Sequence, residues 1–151
     1  MKRTICFKIL GRDNKIVEIK FLKSKNNNFR KSQSSEFKKC EKELEEYFSL
    51  KRKKFDVKLE IKGTPFQESV WREMIKIPYG KTISYKELAT RIKKPKAYRA
   101  VANACGKNKI PIIIPCHRVV ASNGLGGYSA GIDIKKNLLE IEGINVRLNK
   151  T

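Results

Sequence analysis

Ile112-Ile113-Ile114-Pro115-Cys116-His117-Arg118-Val119-Val120 is the stretch on which the reading of this 151-residue chain turns. The isoleucines read as a short buried strand, and Pro115 ends it. Next come the best nucleophile and the best proton acceptor that side chains offer near neutral pH. His117 is the single histidine of the sequence. A free cysteine, with a pKa of about 8.5, is only a few per cent thiolate at pH 7. A base or a positive field raises that fraction. Cys116 has a histidine beside it, an arginine one further on and a strongly basic chain around it. Against chemistry stand two facts. A lone cysteine after an apolar run is usually an inert buried thiol. Adjacent side chains on extended backbone also point opposite ways, so Cys116 and His117 meet only in a turn or through a water.

Working outward, the residues before this stretch are helical. Thr64-Pro65-Phe66-Gln67 is a capping box with proline at the first helical position, and Phe66, Val70, Trp71, Met74 and Ile75 supply the apolar stripe behind it. Ser84-Tyr85-Lys86-Glu87 is a second capping box and opens a short helix ending near Arg91. Lys93-Lys94-Pro95 reads as a turn, and residues 96–106 as a third helix that carries Arg99. Short helix, turn, helix is the helix-turn-helix pattern. The clustering of Lys93, Lys94, Lys96 and Arg99 at the turn favours DNA as its partner. After the central stretch, residues 122–131 form a loop holding Gly124, Gly126, Gly127 and Gly131. Such a loop either lets backbone N–H groups approach a ligand or merely connects. It lacks the G-K-[ST] ending of a phosphate loop. Asp133 is placed to cap a last helix through Ile134, Leu138, Leu139 and Ile141, with Gly143 at its end.

The first 62 residues read differently. Alternation of Ile5, Phe7, Ile9 and of Val17, Ile19, Phe21 about Gly11-Arg12-Asp13-Asn14 predicts a hairpin. Residues 23–35 are a polar loop, and 36–50 place Phe37, Cys40, Leu44, Tyr47 and Phe48 on one helical stripe. Residues 55–61 alternate so cleanly that they predict a strand. With Lys62-Gly63-Thr64 as the joint, the chain divides into 1–62, a small antiparallel sheet with a helix, and 63–151, mostly helical. This is an α+β organisation, of α/β composition.

Lys plus Arg is 35 and Asp plus Glu is 15, a net charge of +20. Residues 1–62 carry 19 basic and 9 acidic groups and the rest carry 16 and 6, so each part is +10 and the charge does not choose between them. A polyanion is the expected partner, nucleic acid before an anionic membrane, because no helix sets a strongly basic face against an aromatic one. No signal peptide and no apolar run near membrane-spanning length is read. Cys6, Cys40, Cys105 and Cys116 make no C-x-x-C pair. With one histidine there is no zinc-finger spacing, so reduced thiols in an intracellular protein are expected, with no metal. A cysteine peptidase would want cysteine and histidine far apart in sequence. A thiol that acts on DNA itself uses the nucleophile, the helix pair and the glycine loop together.

Ile114-Pro115-Cys116-His117-Arg118-Val119 resembles the active-site signature of the O6-alkylguanine-DNA alkyltransferases, the methylated-DNA–protein-cysteine methyltransferases. The resemblance runs over residues 64–143. It includes Ile77-Pro78-Tyr79-Gly80-Lys81-Thr82-Ile83-Ser84-Tyr85, Lys96-Ala97-Tyr98-Arg99-Ala100-Val101, Asn108, Gly126-Gly127-Tyr128-Ser129 and Leu138-Leu139-Glu140-Ile141-Glu142-Gly143. It implies a ribonuclease-H-like N-terminal domain and a winged-helix-like C-terminal one. It further implies a DNA-repair enzyme without cofactor, in which Cys116 takes the alkyl group from O6-alkylguanine once and irreversibly; O4-alkylthymine is a further candidate substrate. On the same resemblance His117 takes the thiol proton through a water and Glu142 orients it. Tyr85 donates to guanine N3 and Asn108 holds the active-site turn. The carbonyls of Cys116 and Val119 accept from the guanine amino group, Tyr128 N–H and the Ser129 side chain or N–H meet O6, and Lys135 is a basic residue of the pocket.

The resemblance also places the helix-turn-helix in the minor groove of double-stranded DNA. Arg99 enters the stack where the base is flipped out, and Tyr98, Ala100 and Lys96 lie on the DNA side. A monomer, cytoplasmic or nuclear, is expected. Tyr98 stands where relatives often carry a small residue, and Ala130 where some have glycine. Cys6 and Cys40 without an N-terminal histidine argue against the zinc site of some relatives. The competing readings are a non-catalytic binder of alkylated DNA, against which Cys116 itself argues, and a helix-turn-helix regulator with a buried thiol.

Overall fold

The computed structural model describes residues 5–23 and 33–146. The loop expected at 23–35 falls mostly outside these residues. Two compact units divide at Glu60/Ile61.

In the first unit β1 (Cys6–Arg12) and β2 (Lys15–Leu22) pair antiparallel. Asp13 and Asn14 connect them with φ of 52° and 57°. Left-handed values at both central residues match the twist of a tight hairpin, and Asp and Asn tolerate them better than most side chains. The register shifts between Leu10 and Gly11. Helix α1 (Ser35–Phe48) is capped by Ser34, whose side chain accepts from the Phe37 amide, and it buries Cys40, Leu44 and Tyr47.

Residues 55–61 are not a full strand, contrary to their alternation. They make one parallel bridge, Ile16 to Leu59. The reason lies on α1. The carboxylates of Glu36 and Glu43, both buried, accept the amides of Lys58 and Asp56 at 2.8 Å each. Those are the N–H groups a ladder would need, and side chains satisfy them instead.

The second unit begins with α2 (Pro65–Met74), whose Thr64–Gln67 capping box forms in both directions. Trp71 donates its indole N–H to the Ala104 carbonyl at 2.8 Å and so ties α2 to α4. β3 (Ile83–Ser84) runs directly into α3 (Tyr85–Arg91). Ser84 caps α3, but Glu87 pairs with Arg91 rather than reaching back, so this box is half made. Lys93, at φ 64°, ends α3. The Lys93 amide bonds the Thr90 carbonyl and the Lys94 amide that of Ala89, a Schellman closure with lysine where glycine is usual. The turn leads into α4 (Tyr98–Gly106), completing the helix-turn-helix. β4 (Val119–Val120) pairs parallel with β3. α5 (Ile132–Ile141) follows, with Gly131 at its N-cap and Asp133 already inside the first turn, so Asp133 is not the cap. No helix among the described residues is long and apolar enough to cross a membrane.

Ile112–Ile114 are a turn, not a strand. Ile112 has φ 73°, and the Ile114 amide bonds back to the Ile110 carbonyl. Left-handed backbone costs an L-residue about 1–2 kcal/mol, and complete burial of the isoleucine returns about 1.5–3 kcal/mol. Ile112→Ala loses the packing and keeps the strain. Ile112→Gly loses the packing and releases it. The glycine variant should therefore be the more stable by about 1 kcal/mol, the reverse of the usual order in regular elements. Urea unfolding of both variants checks this, and alanine above glycine would show that the turn stores no strain.

Candidate active site

The β3–β4 pair sets the site. It aligns Ile83 with Val119 and Ser84 with Val120. Tyr85 starts the helix that follows β3, and Cys116–Arg118 form a 3-10 turn that precedes β4, so both arrive at the same place. The turn that sequence alternation cannot foresee also removes the objection that neighbouring side chains diverge on a strand. Asn108 holds it: its Nδ2 donates to the Ile114 carbonyl at 2.8 Å, and its Oδ1 accepts the Ile110 amide at 3.0 Å.

His117, Arg118 and Glu142 are buried together. His117 Nε2 lies 2.6 Å from Glu142 Oε2. Arg118 grips the same carboxylate with two N–H groups, Nε to Oε1 at 2.8 Å and Nη2 to Oε2 at 3.1 Å, while its Nη1 donates to the Ile77 carbonyl at 2.7 Å. The Gly80 amide completes the set on Glu142 Oε1 at 3.0 Å. Glu142 is the C-cap of α5, and the bonds of Gly143 to Glu140 and of Ile144 to Leu139 fix its backbone. Burial pushes the Glu142 carboxyl up, but the bonds from His117 and Arg118 outweigh it and hold it at about 2. His117 is lowered, by burial first, with Glu142 pulling up and Arg118 and Lys135 pulling down. A neutral imidazole that donates from Nε2 presents a bare lone pair at Nδ1. That atom is buried and has no hydrogen-bond partner among the described residues.

The Cys116 thiol is raised by burial. Bonding from Asn108 and Tyr128 and the charge of Lys135 oppose this only in part. At rest the group is a thiol, and the basic chain does not make it a thiolate. Ionisation needs a local acceptor. Tyr85 is pushed up to about 12, chiefly by burial, so near pH 7 it is a hydrogen-bond donor and not a source of protons.

Lys135 is fully buried on α5, and its ammonium donates to the carbonyls of Val119 (2.8 Å), Leu125 and Gly127 (3.1 Å). All three N–H groups are used, and they tie the glycine loop to β4 beside Cys116. The Ser129 hydroxyl donates to the Gly106 carbonyl at 2.7 Å, which leaves the Ser129 backbone N–H, and not the side chain, as the donor on offer. Gly126 has φ 74°, and a Cβ there would stand 2.8 Å from the Tyr85 hydroxyl, so only glycine lets the loop close on Tyr85.

Arg99, Ala100 and Lys96 are exposed on α4 and the turn before it. Tyr98 is half-buried, with Lys86 Nζ 5.4 Å from its ring centroid. The structure thus gathers Cys116, His117, Glu142, Tyr85, Asn108, Val119, Tyr128 and Lys135 about one turn, while Arg99 and its neighbours form the exposed face of the helix-turn-helix. Sequence reasoning named Arg118 only as a positive charge near Cys116, and missed both its pairing with Glu142 and the Gly80 amide. The available signal was an arginine between a histidine and two valines in an otherwise apolar run. Such a guanidinium must be paired where it is buried.

The model of the 6-O-methylguanine DNA methyltransferase DNA-binding domain matches residues 65–144, and that of the 6-O-methylguanine DNA methyltransferase ribonuclease-like domain matches 7–61. A methylated-DNA–protein-cysteine methyltransferase of Methanosarcina barkeri is 54% identical over 112 residues, covering 74% of this chain and 71% of that one. One from Methanosarcina mazei is 53% identical over 112 residues, with coverage of 74% and 71%. The structure of Mycobacterium tuberculosis OGT in complex with DNA superimposes with a TM-score of 0.81 at 39% identity, over 90% of this chain and 85% of that one.

Proposed function

The chain belongs to the 6-O-methylguanine DNA methyltransferase family and repairs DNA by direct transfer of an alkyl group to a cysteine of its own; from that premise we propose that the cysteine is Cys116 and the substrate O6-alkylguanine. The observation that carries the assignment is the buried line Arg118–Glu142–His117, which ends in a buried Nδ1 without a hydrogen-bond partner, on the same turn as the Cys116 thiol.

The thiol proton passes through a water to Nδ1 of His117, and Glu142 stabilises the imidazolium that forms. The thiolate sulfur attacks the alkyl carbon in line. The S–C bond forms as the C–O6 bond breaks, and the electron pair goes to the guanine. Tyr85 steadies that charge by a hydrogen bond to N3, and the N–H groups of Tyr128 and Ser129 face O6. The Val119 carbonyl, with one lone pair taken by Lys135, has the other for the guanine amino group, beside the carbonyl of Cys116. Asn108 holds the turn. The S-alkylcysteine has no route back, so each molecule acts once.

Reaching a buried thiol requires the base to leave the stack, at a cost of a few kcal/mol that a poorly pairing lesion reduces. Arg99, at the exposed start of α4, fills the gap from the minor groove, with Tyr98, Ala100 and Lys96 against the backbone. The protein acts as a monomer inside the cell, cytoplasmic or nuclear.

The test is the intact mass after mixing with a duplex that carries one O6-methylguanine, followed by peptide mapping. One added methylene on the peptide holding Cys116, and never more than one per molecule, is expected. Normal binding to the lesion without a mass change would move the assignment to a binder of alkylated DNA.

A further inference from the structure

Arg118 is the one charged side chain of the His117–Arg118–Glu142 network to which the chemical steps above give no part. Its guanidinium cannot lose its charge in a protein, and its planar fork matches a carboxylate. Here two of its N–H groups close on both oxygens of Glu142 and a third is fixed by the Ile77 carbonyl, with the Tyr79 ring 5.7 Å away. We propose that Arg118 is a positioning residue for proton transfer: by gripping Glu142 it keeps His117 neutral at rest, with its proton on Nε2 and the lone pair of Nδ1 open. This rests on the reading of Cys116 as nucleophile and His117 as acceptor.

The argument is one of charge balance in a dry site. A buried carboxylate 2.6 Å from an imidazole, with no other cation, would hold a proton on that imidazole. An imidazolium cannot accept the thiol proton. With Arg118 in place the carboxylate is already balanced. A second proton on His117 would leave a buried net positive charge, and Lys135 adds to the penalty. The charged groups that act on His117 are Glu142, Arg118 and Lys135, and two of the three oppose protonation. The balance reverses during reaction. When the proton comes from Cys116, a negative sulfur appears with the imidazolium, the net charge does not change, and Glu142 still accepts from Nε2. Arg118 thus makes His117 reluctant toward solvent protons and leaves it open to the thiol's.

Because His117 is the single histidine, nitrogen-15 labelling of histidine gives one imidazole to follow, without DNA. The unmodified protein should show the neutral tautomer protonated on Nε2 at pH 7. In Arg118→Met the titration midpoint should rise by about 1–2 pH units, whereas Arg118→Lys, which keeps the charge, should move it far less. The acidic limb of single-turnover alkyl transfer should rise by the same interval in Arg118→Met and leave the plateau at high pH. An unmoved midpoint, or a loss of rate equal at every pH, would overturn the proposal and leave Arg118 a packing residue. Should Arg118→Met not fold, the unmodified protein decides: an imidazolium or an Nδ1–H tautomer at pH 7 overturns the proposal, and a neutral Nε2–H form upholds it. A shifted midpoint with no alkyl group on Cys116 at any pH would instead overturn the functional reading and leave the role of Arg118 at the imidazole standing.

Discussion

Glu142→Gln should slow alkyl transfer by about 10³–10⁴-fold while leaving affinity for undamaged duplex DNA unchanged. The carboxamide has one oxygen where the carboxylate has two. If that oxygen stays with Arg118 Nε and the Gly80 amide, the new NH2 group faces His117 Nε2 and Arg118 Nη2, which are donors in the native arrangement. Two donors cannot share a bond, so the imidazole must take the other tautomer, with Nε2 bare and the proton on Nδ1. The acceptor of the thiol proton is then blocked by a proton of its own. Loss of the correct tautomer with geometry intact costs about 10⁴-fold in a comparable triad. Rapid-quench measurement of transfer decides this, and a loss below tenfold would remove Glu142 and His117 from the chemistry.

The same substitution should change stability. Arg118 is left charged, buried and unbalanced, at a cost of up to about 3–5 kcal/mol. The native carboxyl is held at about 2 against an ordinary 4.5. A depressed carboxyl contributes stability that is fully present above about pH 4.5 and is lost as pH falls through about 2. The shift corresponds to about 3 kcal/mol. In Glu142→Gln that part of the acid sensitivity should vanish, so urea midpoints of the two proteins should converge toward pH 2.

What could be read from the residues divides along physical lines. Caps and stripes are local, so the Thr64 and Ser84 caps and the stripe from Phe37 to Phe48 could be placed from neighbours within a few positions. The triple isoleucine could not, because a left-handed Ile112 is disfavoured locally and is held by burial and by Asn108, which act through the tertiary fold. The alternation at 55–61 fails for a related reason: the partners of its amides are glutamates 13 and 22 positions away. Cys116, His117 and Glu142 were legible because a short motif and a resemblance carry them. Arg118 was not, since its meaning depends on a carboxylate 24 residues on. Lys135 was legible as a basic residue of the site, but its hold on three carbonyls was not, because those partners carry no side-chain signature.

That hold leads to the second large effect. Lys135→Met should reduce transfer by at least about 10²-fold, for a stability cost of only about 1–3 kcal/mol. Methionine fills a similar volume but leaves the carbonyls of Val119, Leu125 and Gly127 without their donor. Each orphaned acceptor costs about 1–3 kcal/mol if it stays dry, and Gly127 is exposed enough for water to replace the bond. Against this, the substitution removes a buried charge. Burial pulls the ammonium from 10.5 to about 8, which corresponds to about 3 kcal/mol of strain on folding at neutral pH. The opposing effects leave a small net loss. No such offset protects the chemistry. The loop that presents the Tyr128 and Ser129 amides is no longer tied to β4, and a displacement near 1 Å at a reacting centre costs about 10²-fold. Cys116 also loses a positive neighbour that eases its ionisation. A stability-pH measurement isolates the cause. Between pH 8 and 10.5 the unfolded chain binds more protons at this lysine than the folded one, so the native protein gains stability from this residue as pH rises through that window. In Lys135→Met the gain should be absent, and the difference between the two proteins cancels every other lysine. An equal gain in both would mean that the ammonium is not strained, and the lost activity would then need another source.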